Sequence, residues 1–280
     1  MIRLIREVRT PGNSGPSNGQ YALQRALLAK ELPWLKIGGE LQPGEIPWIW
    51  SYEDKPLAVR CEVERRPFIL GPNVLFLYSR RPGAGHAESF LLNAAHCRLL
   101  ITESRWYEQL IESCRGKRNT APIVFWPYPI DPLPEGPRPA TFDLLIFRKS
   151  GVDDALIHQL QNAYPSNVEI RYGRFSRRRL LDCARQSRVC VYLSDDDRGP
   201  LALAEILLCG CPCVGIERGA PWINGCNGTR VESLGLVPLI EGVTASGSAI
   251  DRGAVREMAL ATFSPAAVVE RVVAAFYSLI

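Results

Sequence analysis

With 280 residues, of which 46% are hydrophobic and 22% charged, the chain has the composition of a globular protein, and no apolar run approaches the roughly 20 residues of a membrane span. Its net charge of +4, from 33 basic and 29 acidic residues, does not by itself define a nucleic-acid-binding surface, although it suits phosphate-bearing ligands or an anionic membrane surface. The length predicts two domains of ~100 to 150 residues, with a ligand-binding cleft between them.

The first half of the chain contains short apolar runs that predict alternating strands and helices. The opening MIRLIREVR predicts a strand and lacks the apolar core of a signal peptide, which favours the cytoplasm. A glycine-rich loop at 10–20 follows, and the later predicted elements are a helix at 21–32, strands at 67–71 and 97–104, and a helix at 106–114. The proline-rich stretch 122–140 predicts a last strand and then an interdomain linker.

The second half shows the alternation more clearly. Continuous apolar strands that alternate with helices predict a parallel sheet covered on both faces, as in a Rossmann-like domain. The predicted strands lie at 141–149, 168–173, 188–194 and 211–217, and the helices at 153–164, 176–187 and 199–210. We therefore expect an N-terminal domain at 1–135, a C-terminal domain at 136–262, and a terminal helix at 263–280 capped by Ser264.

The segment TPGNSGPSNGQ at 10–20 is one candidate anion site. Glycine permits close backbone approach, and the free N–H groups of the following helix start favour an anion. The segment lacks the G-x-G-x-x-G spacing of a dinucleotide site, so a flexible turn and a phosphate cradle are equally compatible with it.

The segment 193–221, LSDDDRGPLALAEILLCGCPCVGIERGAP, is a second candidate. Gly199 and Pro200 predict a tight turn into a helix that Gly210 ends, and this helix start follows a strand, where ligands bind in open parallel sheets. Glu205 stands among apolar neighbours, where a carboxylate is costly to bury without a partner. The C-x-C-x-C run at 209–213 lacks zinc-site spacing, which favours buried free thiols.

This strand, acidic loop, Gly-Pro, Glu-bearing helix and C-G-C-P-C-V turn resemble the C-terminal domain of retaining GT-B glycosyltransferases, particularly family 4. That family's signature is Glu, seven residues, Glu and a Gly-x-Pro turn; here Asp197 takes the first position and Glu205 the second. DLLIFRKSG, GPSNGQYALQRALL, LLITESRWYEQLI and PIVFWPYPIDP are also similar to segments of the family. The resemblance implies an α/β GT-B fold, with two Rossmann-like domains facing across a cleft and a reduced N-terminal domain.

The resemblance also implies roles for particular residues. Glu205 would bind the ribose hydroxyls of a nucleotide-sugar, Asp197 would contact the donor sugar, and the diphosphate would meet the helix start and two basic side chains. The remaining implied contacts are the turn at the base and a glycine loop over the phosphates. The full set is Arg148 and Lys149 at the diphosphate, Gly199, Pro200 and Leu201 at the helix start, Gly173, Arg174 and Phe175 at the base, and Gly15 to Gly19 in the loop.

Several features depart from the family pattern. Asp197 is one methylene shorter than Glu, and the short N-terminal domain implies an acceptor site that is reduced, open or supplied by a partner. His86 and Asn73 are equal candidates for the polar group that the family often places in that domain's cleft, although a surface role for the loop residue His86 is also open. The triplet at 195–197 contains D-x-D, but the Gly-Pro helix and Glu205 favour a metal-free site.

We therefore expect a metal-independent, retaining hexosyltransferase that needs no cofactor and uses a nucleotide-sugar, UDP-linked or GDP-linked, as co-substrate. The acceptor remains open among a glycan, a lipid-linked molecule, a small molecule and a nucleic acid, and the oligomeric state is open. The expected location is cytoplasmic, with peripheral contact at the inner membrane as an option. The alternatives are a degenerate domain that binds a nucleotide-sugar without turnover and a GT-B epimerase-like enzyme.

Overall fold

The computed structural model describes residues 1–10, 15–77, 86–149, 151–277 and 279, without the side chains of 15–17 and 86. The chain forms two compact units, which we call the first unit (Met1–Pro129 with Pro265–Ile280) and the second unit (Ile130–Ser264). The sequence predicted a boundary after residue 135 and a separate terminal helix. In the structure, 130–135 belong to the second unit because Ile130 and Leu133 lie in its core.

The first unit contains a six-stranded sheet in which every described strand pair is parallel. Its strand order is β2-β1-β3-β4-β5-β6. The elements are β1 (Ile2–Leu4), α1 (Gly15–Ala29), β2 (Leu35–Ile37), β3 (Ile46–Ser51), α2 (Lys55–Val63), β4 (Phe68–Asn73), α3 (His86–Leu92), β5 (Cys97–Thr102), α4 (Arg105–Cys114) and β6 (Ile123–Phe125), with a 3-10 turn at Tyr52–Asp54.

The second unit contains a five-stranded parallel sheet in the order β11-β10-β9-β7-β8. Buried side chains on both of its faces pack under helices, as the continuous apolar strands predict. The elements are β7 (Phe142–Arg148), α5 (Asp154–Ala163), β8 (Asn167–Arg171), α6 (Arg177–Gln186), β9 (Ser187–Leu193), α7 (Leu201–Leu208), β10 (Cys213–Gly215), β11 (Gly228–Arg230), α8 (Leu236–Ala249) and α9 (Arg252–Phe263).

The last helix, α10 (Pro265–Tyr277), belongs to the first unit. Its valines and Phe276 pack with Ile2, Trp48 and Trp126 in one apolar core, so burial of its apolar stripe explains its position. Among the described residues no single helix is long and apolar enough to cross a membrane; α9 and α10 pass that test only when they are taken together.

The first helix differs from its predicted range. It begins at Gly15, six residues before the predicted start, so part of the predicted glycine-rich loop is helical. Gly19 lies against the ring of Tyr128, where a β-carbon would clash, which gives this glycine a packing role in the helix. Residues 11–14 of the predicted loop lie outside the described part of the chain.

Candidate functional site

The second sheet brings the ends of two predicted strands together. The chain adds β8 on one side of β7 and then β9, β10 and β11 on the other, so the connections change direction between β7 and β9. In open parallel sheets ligands bind beyond the carboxyl ends of the strands at such a switch point. Lys149 follows β7 at this point, and its backbone N–H donates to Leu193 O over 3.0 Å at the end of β9.

Lys149 and Asp197 form an ion pair at this switch point. The Lys149 side chain is 22% exposed and that of Asp197 11% exposed. The Tyr192 hydroxyl donates to the same carboxylate over 3.2 Å, and the backbone N–H of Asp197 donates to Arg218 O over 2.8 Å. Two side chains and the backbone therefore fix the aspartate for which the family resemblance implies a contact with the donor sugar, a role that stays a prediction.

Burial governs the acid–base behaviour of this group. Removal from water raises the pKa of Asp197 above its ordinary value, and the Lys149 ammonium offsets only part of that effect. Burial also raises the pKa of Tyr192 well above 10, and the neighbouring Asp197 charge adds to it. Tyr192 stacks on Phe147 with ring centroids 4.8 Å apart, which holds its hydroxyl under the carboxylate. Tyr192 is thus a neutral hydrogen-bond donor at neutral pH.

Glu205 lies on the buried side of α7 and pairs with Arg177 at the start of α6. Its side chain is 14% exposed. Among the described residues, its carboxylate accepts one hydrogen bond, from Arg177 to Oε1. Burial raises the pKa of Glu205 above its ordinary value, with Arg177 opposing the shift. The second carboxylate oxygen, Oε2, is therefore available for another donor.

Helix α7 begins at Leu201, two residues after the start of the predicted helix at 199–210. Pro200 is its N-cap residue with extended backbone angles, Leu201 is its first helical residue, and the carbonyl of Pro200 accepts from the N–H groups of Leu203 and Ala204. Gly199 precedes this turn. The N-terminal end of a helix carries a partial positive charge, so this end favours an anion.

Arg148 is not brought together with Lys149. Adjacent residues of a strand point to opposite faces, and the Arg148 guanidinium contacts Asp154 at 2.6 Å and Glu169 at 3.5 Å. The hydrogen bond from Arg148, together with its positive charge, holds the pKa of Asp154 below its ordinary value. The diphosphate role expected for Arg148 stays a prediction, and in this structure two carboxylates already neutralise the side chain.

The Gly173-Arg174-Phe175 turn follows β8 at the same edge of the sheet. Gly173 has a φ of +76°, which favours glycine, and the Arg174 N–H closes the turn on Arg171 O over 3.0 Å. Phe175 packs edge-on against Phe147. Beside this turn, the Lys149 ammonium lies 4.8 Å from the centroid of the Tyr172 ring, a cation–π contact.

The candidate residues of the first unit have separate positions. Gly15 is the first residue of α1 and Gly19 lies within that helix, while Asn73 is the last residue of β4 and half-buried. His86 begins α3, and its side chain lies outside the described part of the structure. The roles expected for these four residues stay predictions.

Three residues that sequence reasoning did not select complete the site: Tyr192, Tyr172 and Arg177. Tyr192 lies in a buried strand whose apolar pattern it shares, so nothing in the sequence distinguishes its hydroxyl. Arg177 was visible as the first of three consecutive arginines, a cluster that solvated helix starts also show. Its pairing with Glu205 depends on how α6 packs against α7.

Asp195 and Asp196 contain the D-x-D pattern together with Asp197. Among the described residues, no group of three or more His, Cys, Asp or Glu side chains is arranged to hold a metal ion. The metal-free reading of this segment stays a prediction.

The chain has two α/β units, each built on a parallel sheet, which is the two-domain architecture of the GT-B fold found in glycosyltransferases. It is similar to AviGT4, a glycosyltransferase involved in avilamycin A biosynthesis (16% identity over 99% of this chain and 97% of the other, TM-score 0.56). It is also similar to Anabaena HepE in complex with UDP and glucose (11%, 99% and 99%, TM-score 0.65). A third similar structure is the lipopolysaccharide outer core galactosyltransferase WaaB (9%, 100% and 99%, TM-score 0.66).

No protein family's sequence profile matches the chain, and no curated protein matches it in sequence. Because the sequence identities to these solved structures are low, the similarity establishes the GT-B fold and does not establish the activity.

Proposed function

We propose that this protein is a glycosyltransferase that moves a sugar from a nucleotide-diphosphate sugar to an acceptor. The observation that carries the proposal is the set of groups at one edge of the second sheet. Lys149 and Asp197 meet at the switch point, α7 begins in the loop that follows, and Glu205 stands five residues into that helix with one oxygen available. Each of these groups can bind one part of a nucleotide-sugar.

Each part of the donor has a matching group. The diphosphate suits the Lys149 ammonium and the amide groups at the start of α7, because both carry positive charge. The ribose hydroxyls suit Glu205, whose Oε2 can accept from them. Asp197, held by Lys149 and Tyr192, would accept from a hydroxyl of the donor sugar. HepE was crystallised with UDP and with UDP-glucose, which supports a UDP-sugar as the donor to test first.

The leaving nucleotide diphosphate gains negative charge as the sugar–phosphate bond breaks. Lys149 and the helix start would stabilise that charge, so the proposed reaction needs no metal ion in this role. We further propose retention at the sugar's reacting carbon, with the acceptor attacking from the face that the diphosphate leaves and a phosphate oxygen taking the acceptor's proton. The residue pattern of Asp197 and Glu205 supports this stereochemistry, and the hexosyltransferase assignment rests on the same pattern.

One observation favours a second candidate, a nucleotide-sugar-binding protein without turnover. Both site carboxylates are already paired with cations of the chain, Asp197 with Lys149 and Glu205 with Arg177. A ligand must then compete with or join these pairs. The epimerase-like alternative has no such observation in its favour.

The test is incubation with UDP-glucose, UDP-galactose and GDP-mannose, with release of the free nucleotide diphosphate and binding of each nucleotide-sugar as readouts. We expect binding of at least one nucleotide-sugar, slow hydrolysis without an acceptor, and faster release with one. Glu205→Ala should weaken binding by roughly tenfold, the size expected for lost hydrogen bonds to a charged group.

Glu217→Ala is the matched control because Glu217 is an exposed glutamate of the same unit that pairs with Arg230. It should leave binding unchanged. Binding without release on any acceptor would favour the non-enzymatic candidate. If no nucleotide-sugar binds, or Glu205→Ala has no effect on binding, the proposed function is wrong.

A further inference from the structure

The ion pair between Arg177 and Glu205 is not explained by the stability of the second unit. Glu205 lies among buried apolar residues of α7, where loss of hydration raises its pKa. Arg177 is the first residue of α6, where the positive end of the helix disfavours a cation. Replacement of a buried ion pair by apolar side chains is often neutral or stabilising, so the fold alone gives no reason for either charge.

The packing of α6 brings Arg177 to Glu205. Leu180 and Ala184 lie in the buried core together with residues of α7. Arg177 stands three and seven residues before them, and such positions share one face of a helix. Ser176 caps the start of α6 through its side chain. The packing of α6, and not the ion pair itself, therefore places Arg177 beside α7.

Arg177 contacts the carboxylate through one nitrogen. Its Nε donates to Oε1 of Glu205, and among the described residues Oε2 accepts no hydrogen bond. Oε2 is not fully buried and keeps some contact with solvent. In the first unit, Arg3 instead donates to both oxygens of Glu45, through Nε and through Nη2 over 2.8 Å. The two-nitrogen contact occupies the whole carboxylate, whereas the one-nitrogen contact leaves one oxygen open.

The open oxygen suits a neutral hydroxyl group. A second cation would be repelled by Arg177 and a phosphate by the carboxylate, whereas a hydroxyl can donate to Oε2 without disturbing the pair. Burial favours the protonated form of Glu205, and the Arg177 charge opposes it. An ionised carboxylate accepts the stronger hydrogen bond, so a ligand hydroxyl gains most when the pair stays intact.

We propose that Arg177 is a positioning residue for the nucleotide: its contact with Oε1 orients Glu205 so that Oε2 accepts from a ribose hydroxyl. This inference rests on the proposed function, in which Glu205 binds the ribose. It adds that the ribose is recognised through one oxygen of the carboxylate and that the nucleotide joins the ion pair without displacing it. Arg178 is the matched control, because it is the next residue of the same helix turn and its side chain is 93% exposed.

The experiment measures binding of UDP and GDP, each beside its 2′,3′-dideoxy form, to the full chain by isothermal titration calorimetry. The readout is the ribose preference, which is the affinity for the ordinary nucleotide divided by that for the dideoxy form. For at least one base we expect a preference of about tenfold in the parent, the size of hydrogen bonds to a charged group. Arg177→Met should lower this preference to about twofold and change the affinity for the dideoxy form by less than about twofold.

Further variants separate positioning from folding. Arg177→Lys should keep an intermediate preference, because the ammonium retains the charge without the planar donor geometry. Arg178→Met should keep the preference of the parent. Arg177→Met combined with Glu205→Ala should lower the preference no further than Glu205→Ala alone, because Arg177 acts through that carboxylate. A folding defect would instead weaken binding of the ordinary and the dideoxy nucleotide equally, and circular dichroism checks that each variant is folded.

The proposed role of Arg177 is overturned if folded Arg177→Met keeps the preference of the parent, or if Arg178→Met lowers it as much. Should Arg177→Met not fold, Arg177→Lys decides, and an undiminished preference in it overturns the role. In these cases nucleotide binding that Glu205→Ala weakens would leave the proposed function standing. If the parent binds neither nucleotide, the proposed function fails and the role of Arg177 fails with it.

Discussion

The two sheets present their switch points differently, although both are parallel and both reverse the direction of their connections beside the first strand of the unit. At the β7–β9 switch point, Lys149 and Asp197 form a mostly buried pair. At the β1–β3 switch point of the first unit, Arg6 pairs with Asp54 and with Glu53, and the Arg6 side chain is more exposed than that of Lys149. The shared topology thus provides the position, and the residues that follow the strands decide the chemistry.

Two glutamates, one buried and one mostly buried, show the same contrast. Glu45 in the first unit, 5% exposed, accepts from the Arg3 guanidinium, from Lys36 at 3.1 Å and from the Gln42 N–H at 2.9 Å. These contacts hold the pKa of Glu45 well below its usual range, whereas burial raises the pKa of Glu205. A carboxylate with both oxygens occupied stabilises the fold, and one with an oxygen to spare can bind a ligand.

The largest effect should come from breaking the charged pair at the second switch point. Lys149→Met removes the cation proposed to stabilise the leaving diphosphate, so transfer should fall by roughly 100-fold. It also leaves Asp197 buried beside Tyr192 without its counter-ion, which should lower the free energy of unfolding by about 2–4 kcal/mol. Nucleotide release kinetics and urea unfolding measure the two effects.

Two controls separate them. Lys149→Met with Asp197→Asn should recover part of the stability and none of the rate, while Arg188→Met removes an exposed cation from the opposite end of β9 and should change neither. Arg6→Met removes the more exposed cation of the first switch point and should cost only about 1 kcal/mol of stability. A normal rate in folded Lys149→Met would contradict the proposed role of this residue.

A smaller effect should appear in the pH dependence of stability. The folded state holds the proton of Glu205 more tightly than the unfolded state does, so this residue makes stability fall as pH rises from about 4.5 through its raised pKa. Glu45 acts in the opposite direction, because its lowered pKa stabilises the fold above about 4.5 and that stability is lost as pH falls.

Urea unfolding between pH 4 and 8 tests both predicted directions of the pH dependence of stability. At the upper end of this range, the double variant Glu205→Gln with Arg177→Met should be more stable than the parent, because it has no carboxylate charge to bury and no unpaired cation. Glu45→Gln should be destabilised most near neutral pH and less in acid. The same sign of change in both variants would show that the contrast between the two glutamates is false.

The sequence predicts the second unit better than the first for a physical reason. The strand β9 is an apolar run, and the apolar run of α7 lies between Pro200 and Gly210. Such runs identify a parallel sheet and place Glu205 near a strand end. In the first unit, β3 and the 3-10 turn occupy IPWIWSYED, where short elements with no breaker between them leave no readable period. The elements β2, α2 and α3 there, and β11, α8 and α9 in the second unit, were likewise not predicted.

Contacts between elements distant in sequence were beyond prediction. That Lys149 meets Asp197 follows from the placement of β7 beside β9, which the alternating pattern does not specify. That Arg177 rather than Arg178 or Arg179 reaches Glu205 depends on the rotation of α6 about its axis.

The smallest effect should come from Tyr192→Phe, which removes one hydrogen bond to Asp197 and leaves the Lys149 pair and the stacking on Phe147 in place. Loss of this bond should cost about 1 kcal/mol of stability and lower transfer only a few-fold, because Lys149 still holds the carboxylate. The parent should also lose stability as pH rises above 10, since the folded state resists ionisation of Tyr192, and the variant should lose less. If Tyr192→Phe instead lowers the rate as far as Lys149→Met does, the Tyr192 hydroxyl takes part in the reaction. Its role at the second switch point would then go beyond holding Asp197 in position.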